Sequence, residues 1–228
     1  MAFSRPDHIP METLHTISLI LHVASGSIAL LAGTAILLLR KGNAAHRRFG
    51  RVFFVALIIV SVSAFAMSII RPNSFLFMVG VFTLYQGLGG YRAVAHRSLQ
   101  PAWLDWAVTI MGAANALAML LSGQVVLLVF GGISAYMVVG DLRTYTLVLK
   151  KKPVPKLLWL QRHIGHMMGA YIATFTAFLV TNATASNFLG GLAWFIPTVV
   201  GVPLLMYWSR RYAPASSTSG QFGALQKP

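Results

Sequence analysis

Long apolar runs separated by short polar segments make up most of the chain. Seven of these runs are about as long as the roughly 20 residues that an α-helix needs to cross a bilayer. Their expected bounds are 13–39, 52–70, 74–95, 102–121, 124–149, 157–181 and 188–209. The pattern predicts an all-α polytopic membrane protein, with one seven-helix domain over residues 1–212. The tail 213–228 is rich in Ser, Thr, Pro and Gly, which predicts a disordered cytoplasmic tail.

The distribution of basic residues predicts how these helices are oriented. If the N-terminus lies outside, 16 of the 18 Lys and Arg residues fall in cytoplasmic segments, and only Arg5 and Arg71 lie outside. Basic residues collect in the short cytoplasmic loops of membrane proteins. The predicted topology is therefore seven spans, with the N-terminus outside and the C-terminus in the cytoplasm.

Composition supports this class and excludes several kinds of chemistry. Apolar residues make up 57% of the chain and charged residues 10%, and the mean hydropathy is +0.71. A net charge of +14 would suggest a nucleic-acid partner in a soluble protein, but here the topology accounts for it, and we expect no nucleic-acid partner. The absence of cysteine excludes disulfides, thiolate metal sites, iron–sulfur clusters and cysteine nucleophiles.

Ionisable residues inside the predicted helices are the candidates for a functional site. Such groups are costly in a membrane, and they usually face protein or a water-filled cavity. At a rise of 1.5 Å per residue, His163 and His166 lie about 9 and 14 Å from the cytoplasmic start of the sixth helix, and Asp141 lies about 12 Å from the cytoplasmic end of the fifth. Three further side chains could join them from the same half of the membrane: Arg92, Gln86 and Tyr145.

The first interpretation of this predicted cluster is a site that binds a metal ion or a small polar ligand, and two other roles are alternatives. His163, His166 and Asp141 could supply two nitrogens and one oxygen to a divalent metal ion and leave positions open for water or substrate, as in a membrane-embedded enzyme. The same groups could bind and release protons in a proton-coupled small-molecule transporter. They could also fix the packing of helices in a structural or assembly subunit of a larger complex.

His22 is a separate candidate on the first helix. It could belong to a ligand or proton site, or it could be a hydrogen-bonded residue between helices. A haem held by His22 and His166 would need both at one depth, yet they lie about 25 and 14 Å from the cytoplasmic end. This mismatch argues against a haem. The sequence leaves the cofactor open, and a divalent metal is compatible with the histidines.

The segment Arg40–Arg51 is the strongest basic patch, and it predicts contact with lipid. Basic side chains beside a membrane attract anionic headgroups, each contributing about 1 kcal/mol. We expect Arg47, Arg48 and Arg51 to contact lipid headgroups at the cytoplasmic face. Glycine and alanine at every fourth position of several helices predict close helix contacts, within the chain, in a homo-oligomer or in a larger complex.

Three segments resemble a family of small polytopic bacterial membrane proteins, a predicted-membrane-protein domain of unknown function. They are LHVASGSIALLAG with His22, AHRRFGR with His46, Arg47, Arg48 and Gly50, and RHIGHMMGAYIATFTAF with His163. The resemblance implies a multi-pass protein of the bacterial inner membrane and no known reaction. A looser likeness, through paired histidines on a late helix, is to the seven-helix zinc hydrolases of the progestin/adiponectin receptor and ceramidase superfamily.

Overall fold

The computed structural model describes residues 10–186 and 190–212. Within these residues the chain forms seven α-helices and a short 3₁₀ helix, Gly190–Trp194, and it forms no strand. The helices are α1 Met11–Leu38, α2 Ala44–Ile70, α3 Ser74–Ala95, α4 Trp103–Leu121, α5 Val125–Leu149, α6 Leu158–Ser186 and α7 Ile196–Arg211. The predicted all-α class is confirmed. The predicted tail 213–228 lies outside the described residues.

Six helical segments are long and apolar enough to cross a membrane, which indicates a multi-pass membrane protein. They are Met11–Leu38, Ala44–Ile70, Trp103–Leu121, Val125–Leu149, Leu158–Asn182 and Gly191–Arg211. Helix α3 is not among them, although it has 22 residues. It carries Gln86, Arg92 and several glycines, which lower its hydropathy. The seventh span therefore stays a prediction.

Helix α3 lies at the centre of the bundle. It packs against α2, α4 and α6 and also contacts α5, while α1 and α2 form one antiparallel pair and α4 and α5 another. Tyr85 and Gln86 in the middle of α3 have no solvent-accessible surface. A helix surrounded by other helices can carry polar side chains because protein groups, rather than lipid, satisfy them.

The connection between α1 and α2 is shorter than predicted. Helix α2 begins at Ala44 rather than at 52, so most of the basic segment is helical. The side chain of Asn43 accepts a hydrogen bond from the backbone N–H of His46 at 2.7 Å and so caps the helix. The hydropathy pattern missed this start because the first turns of α2 are polar.

Lys41, in the same connection, contacts both the end of α1 and Trp208 of α7. Its Nζ donates to the carbonyl oxygens of Ile36 and Leu37 at 2.7 and 2.8 Å, and it lies 4.7 Å from the centre of the Trp208 ring. A lysine beside the last carbonyls of a helix stabilises that end. Lys41 therefore links the end of α1 to α7, and burial lowers the pKa of its amine.

We call the end of the bundle where α1, α3 and α5 finish the basic end. The connections 39–43, 96–102 and 150–157 lie there, and they include Arg40, Lys41, Arg97 and Lys150–Lys152. Helices α2, α4 and α6 begin at the same end. Side chains near the end of α3 and α5 can therefore meet side chains near the start of α4 and α6.

Candidate functional site

Five polar side chains from three helices form one hydrogen-bonded group inside the bundle. We call them the Asp141 cluster: Tyr85 and Gln86 of α3, Asp141 of α5, and Arg162 and His166 of α6. Gln86, His166 and Asp141 are only 0%, 1% and 3% exposed. Buried polar groups of this kind are stable only when each has a partner.

The carboxylate of Asp141 is the centre of the cluster. Its Oδ1 accepts a hydrogen bond from Nη2 of Arg162 at 2.6 Å, and its Oδ2 accepts one from the hydroxyl of Tyr85 at 2.8 Å. Nε2 of His166 lies 3.5 Å from Oδ1. The Asp141–Arg162 ion pair is largely buried, with 5% and 13% of the two side chains exposed.

The ring of His166 lies between two oxygen acceptors. Its Nδ1 is 2.8 Å from Oε1 of Gln86, and its Nε2 faces Oδ1 of Asp141. A neutral imidazole has one N–H and can donate to only one of these oxygens. An imidazole that carries a proton on both nitrogens donates to both. The geometry therefore provides a place for one additional proton between His166 and Asp141.

Two glycines make room for these side chains. A Cβ on Gly89 would lie 2.6 Å from Cε1 of His166, and a Cβ on Gly169 would lie 2.7 Å from Nε2 of Gln86. Real Cβ atoms do not approach other heavy atoms so closely. Because Gly89 of α3 and Gly169 of α6 have no side chain, the polar side chains of the facing helix fit against them.

Replacing Gly169 with alanine tests this arrangement. We expect the free energy of unfolding to fall by about 1–3 kcal/mol, because the added methyl group must displace the buried amide of Gln86. Gly165→Ala is the matched control, since its nearest neighbour would be the methyl group of Met137 at 3.8 Å. Thermal unfolding in detergent should separate the two variants; equal stabilities would show that Gln86 is not fixed against α6.

A small cavity lies beside the cluster, toward the basic end. Its volume of about 20 Å³ is enough for one water molecule. Leu99 and Gln100 of the α3–α4 connection form part of its wall. Its ionisable lining groups are Arg92, His96, Asp105, Asp141, Tyr145 and Arg162. The cavity is therefore lined both by Asp141 and Arg162 of the Asp141 cluster and by residues of the α3–α4 connection.

A second ion pair, Arg92–Asp105, lines the same cavity as Asp141. Nε and Nη2 of Arg92 donate to the two carboxylate oxygens of Asp105, each at 2.5 Å. Asp105 also accepts the backbone N–H of Ala102 at 2.7 Å and so caps α4. Asp105 is therefore the carboxylate bound to Arg92, whereas the sequence predicted only that Arg92 lies in the same half of the membrane as Asp141. Six residues along α3 place Arg92 about 9 Å beyond Gln86, nearer the start of α4.

Tyr145 joins the cluster on the cavity side, as its predicted depth suggests. Its hydroxyl lies 3.4 Å from Nη2 of Arg162 and 3.3 Å from Oγ1 of Thr109. The guanidinium of Arg162 also lies 5.1 Å from the centre of the Tyr145 ring. Tyr145 therefore holds Arg162 in place and connects it to α4.

The predicted metal ligands are only partly brought together. His166 contacts Asp141, but Nδ1 of His163 lies 2.9 Å from the carbonyl oxygen of Gly90 instead. His163 is almost one turn nearer the start of α6 and faces the backbone of α3. Within the described residues, no three His, Asp or Glu side chains lie close enough to hold a metal ion.

His22 lies at a different interface. Its Nδ1 is 3.1 Å from the carbonyl oxygen of Val60 and 3.1 Å from Oγ of Ser63, both on α2. These contacts join α1 to α2. They agree with the interpretation of His22 as a hydrogen-bonded residue between helices, and they give it no contact with the Asp141 cluster.

The arginines predicted to contact lipid headgroups lie on the first two turns of α2. Nη1 of Arg47 donates to the carbonyl oxygen of Gly42 at 2.7 Å, so Arg47 contributes to the turn before the helix. Arg48 and Arg51 are exposed. These two arginines are therefore free to reach the surroundings of the basic end, as contact with headgroups requires.

Arg162 is the functional candidate that sequence reasoning missed. It lies in the first turns of α6, before the apolar part, where the charge distribution predicts a residue on the cytoplasmic side. Residues four apart lie on the same face of a helix, and Arg162 and His166 have this spacing. This spacing in the sequence indicates that Arg162 and His166 could both reach Asp141.

The chain was compared with protein families, curated proteins and solved structures. No protein-family model matches the chain, and no curated protein or solved structure matches it. The resemblance to the bacterial family of unknown function, and the looser one to the zinc hydrolases, therefore stay predictions.

Proposed function

We propose that this protein is a proton-coupled membrane carrier that binds and releases one proton at the Asp141–His166 pair. The observation that carries this proposal is the position of the His166 ring between two acceptors, Gln86 and Asp141. Acidic and histidine side chains inside membrane helices are typical of proton pathways. Histidine also exchanges protons more readily near neutral pH than other side chains do.

The cavity gives this pair a route for proton exchange. It is large enough for a water molecule, and its lining includes both Asp141 and Gln100 of the α3–α4 connection. A proton can move along a chain of water and hydrogen-bonding side chains. Water in the cavity would thus connect Asp141 to the solvent at the basic end.

The topology proposed for the whole chain determines the side of the membrane with which the pair exchanges protons. We place seven spans in the membrane, with the N-terminus outside and the basic end in the cytoplasm, because positively charged connections stay on that side. The resemblance to bacterial membrane proteins supports the inner membrane as the location. The Asp141–His166 pair would then exchange protons with the cytoplasm.

The binding of a metal ion by His163, His166 and Asp141 has less support. His163 already contacts the carbonyl oxygen of Gly90, so a metal shared by all three would require α6 to rotate or His163 to change its rotamer. The proton proposal needs no such change. It uses the contacts of His166 as they are.

Proton flux into vesicles tests the proposal. Proteoliposomes loaded with a pH-sensitive dye, in potassium chloride with valinomycin, should acidify faster after an external acid pulse than empty vesicles do. Asp141→Asn should lose this increase, because the pair then lacks its carboxylate. Arg71→Gln should retain it, since Arg71 lies in an exposed pair with Glu12. Equal rates for the unaltered protein and for empty vesicles would overturn the proposal.

A further inference from the structure

We propose that the cavity beside the Asp141 cluster binds a small inorganic or carboxylate anion, such as chloride or formate, together with the proton. This inference rests on the proposed proton site and names the class of its co-substrate. It follows from the charges around the cavity, from an unused donor of Arg162 and from the size of the space.

The charges that line the cavity balance only while the proton is absent. Two guanidinium groups, of Arg92 and Arg162, face two carboxylates, of Asp105 and Asp141. A proton on the Asp141–His166 pair adds one positive charge, whichever of the two side chains holds it. No further carboxylate lines the described part of the cavity. A buried excess charge is costly, so an anion is the natural partner of the added proton.

Every ionisable neighbour of the pair enters this balance. They are Tyr85 and Arg92 of α3, His96 of the α3–α4 connection, Asp105 of α4, Tyr145 of α5, and Arg162 and His163 of α6. The two tyrosines are neutral donors, and the arginines keep their charge. A proton on either histidine would add to the positive charge. Acidification can therefore only make the net charge of the groups around the cavity more positive.

Arg162 has a donor that the protein does not use. Its Nη2 donates to Asp141, but its buried Nε has no hydrogen-bond partner among the described residues. Buried N–H groups without a partner are rare because they are costly. When the proton weakens the hydrogen bond from Arg162 to Asp141, further N–H groups of the guanidinium can donate to an anion. Arginine is well suited to bind carboxylates and other small anions.

The size of the cavity limits the anion. A volume of about 20 Å³ holds roughly one water molecule, so a single-atom halide can replace that water with little rearrangement, and a three-atom anion such as formate requires a small expansion of the space. Phosphate, dicarboxylates and nucleotides are too large for this space. Before the proton binds, the same volume would hold water.

Binding of the two ligands must then be linked. If one anion enters with one proton, each raises the affinity of the other by the same factor. We expect the affinity for chloride or formate to rise by up to about tenfold for each unit by which the pH falls, within the range where the pair takes up its proton.

Proton uptake on addition of an anion tests this inference. Purified protein in a weakly buffered sodium gluconate solution with a pH-sensitive dye receives sodium chloride, sodium formate or more sodium gluconate. Chloride and formate should each cause uptake of up to one proton per chain, and gluconate should cause none. Arg71→Gln should behave like the unaltered protein. Chloride binding without proton uptake by the unaltered protein, or no binding at all, would overturn the inference.

Two variants of the site distinguish its parts. Asp141→Asn combined with His166→Gln removes both groups that could hold the proton but keeps the positive charge of Arg162, so this variant should bind chloride with an affinity that depends much less on pH, as measured by calorimetry. Arg162→Gln should lose chloride binding, in protein whose folding is first checked by circular dichroism and size-exclusion chromatography. If the unaltered protein takes up the proton equally in gluconate and in chloride, the proton site stands and the anion site is wrong. If it takes up no proton in any medium, the proposed function also fails.

Discussion

Replacing Arg162 with glutamine should lower the free energy of unfolding by about 3–5 kcal/mol. The change would leave the carboxylate of Asp141, 3% exposed, without its cationic partner. Removing one member of a buried ion pair is strongly destabilising because the remaining charge stays buried. The measurement is the unfolding equilibrium in mixed micelles. Arg71→Gln, at an exposed pair, should not change it measurably.

A double variant separates stability from function at this pair. Asp141→Leu combined with Arg162→Met removes both charges, and we expect it to recover most of the lost stability. If the pair served only to fix helix packing, the double variant would also retain proton flux into vesicles. We expect the flux to be lost even though the protein is stable. Retained flux would show that the Asp141 cluster is a structural element only.

Replacing His166 with glutamine should reduce proton flux at least tenfold while the protein remains folded. Glutamine can keep a hydrogen bond to Gln86, but it cannot carry the added proton. His22→Gln is the matched control, because His22 is also a half-buried histidine in a predicted span, but its ring hydrogen-bonds to α2 rather than to the Asp141 cluster. Its flux should remain close to that of the unaltered protein. Equal losses in both variants would mean that the effect is one of packing.

Much of the fold could be predicted from hydropathy. The predicted bounds 74–95, 102–121 and 124–149 agree within one residue with α3, α4 and α5. These helices end at polar or turn-forming residues, which the hydropathy pattern detects. The start of α2 at Ala44 was missed because its first turns are basic, and a cap such as Asn43 depends on a side-chain hydrogen bond that hydropathy does not report.

The candidate site was predicted only in part, because depth along a helix does not specify direction around it. Depth correctly placed Asp141 near His166. It could not show that His163 turns toward the backbone of Gly90, or that Arg92 reaches Asp105 instead. Those contacts depend on how the helices are rotated and on the glycines that let them approach. Neither can be read from the spacing of a single helix.

The most direct test of the account is a hydrogen-ion titration of the purified protein against the Asp141→Asn, His166→Gln double variant. Both proteins contain the same remaining titratable groups, so the difference between their titration curves reports the protons bound by the pair. The account predicts that the unaltered protein takes up one proton more per chain between alkaline and mildly acidic pH. Coincident curves over that range would contradict it, since they would show that the pair never exchanges a proton.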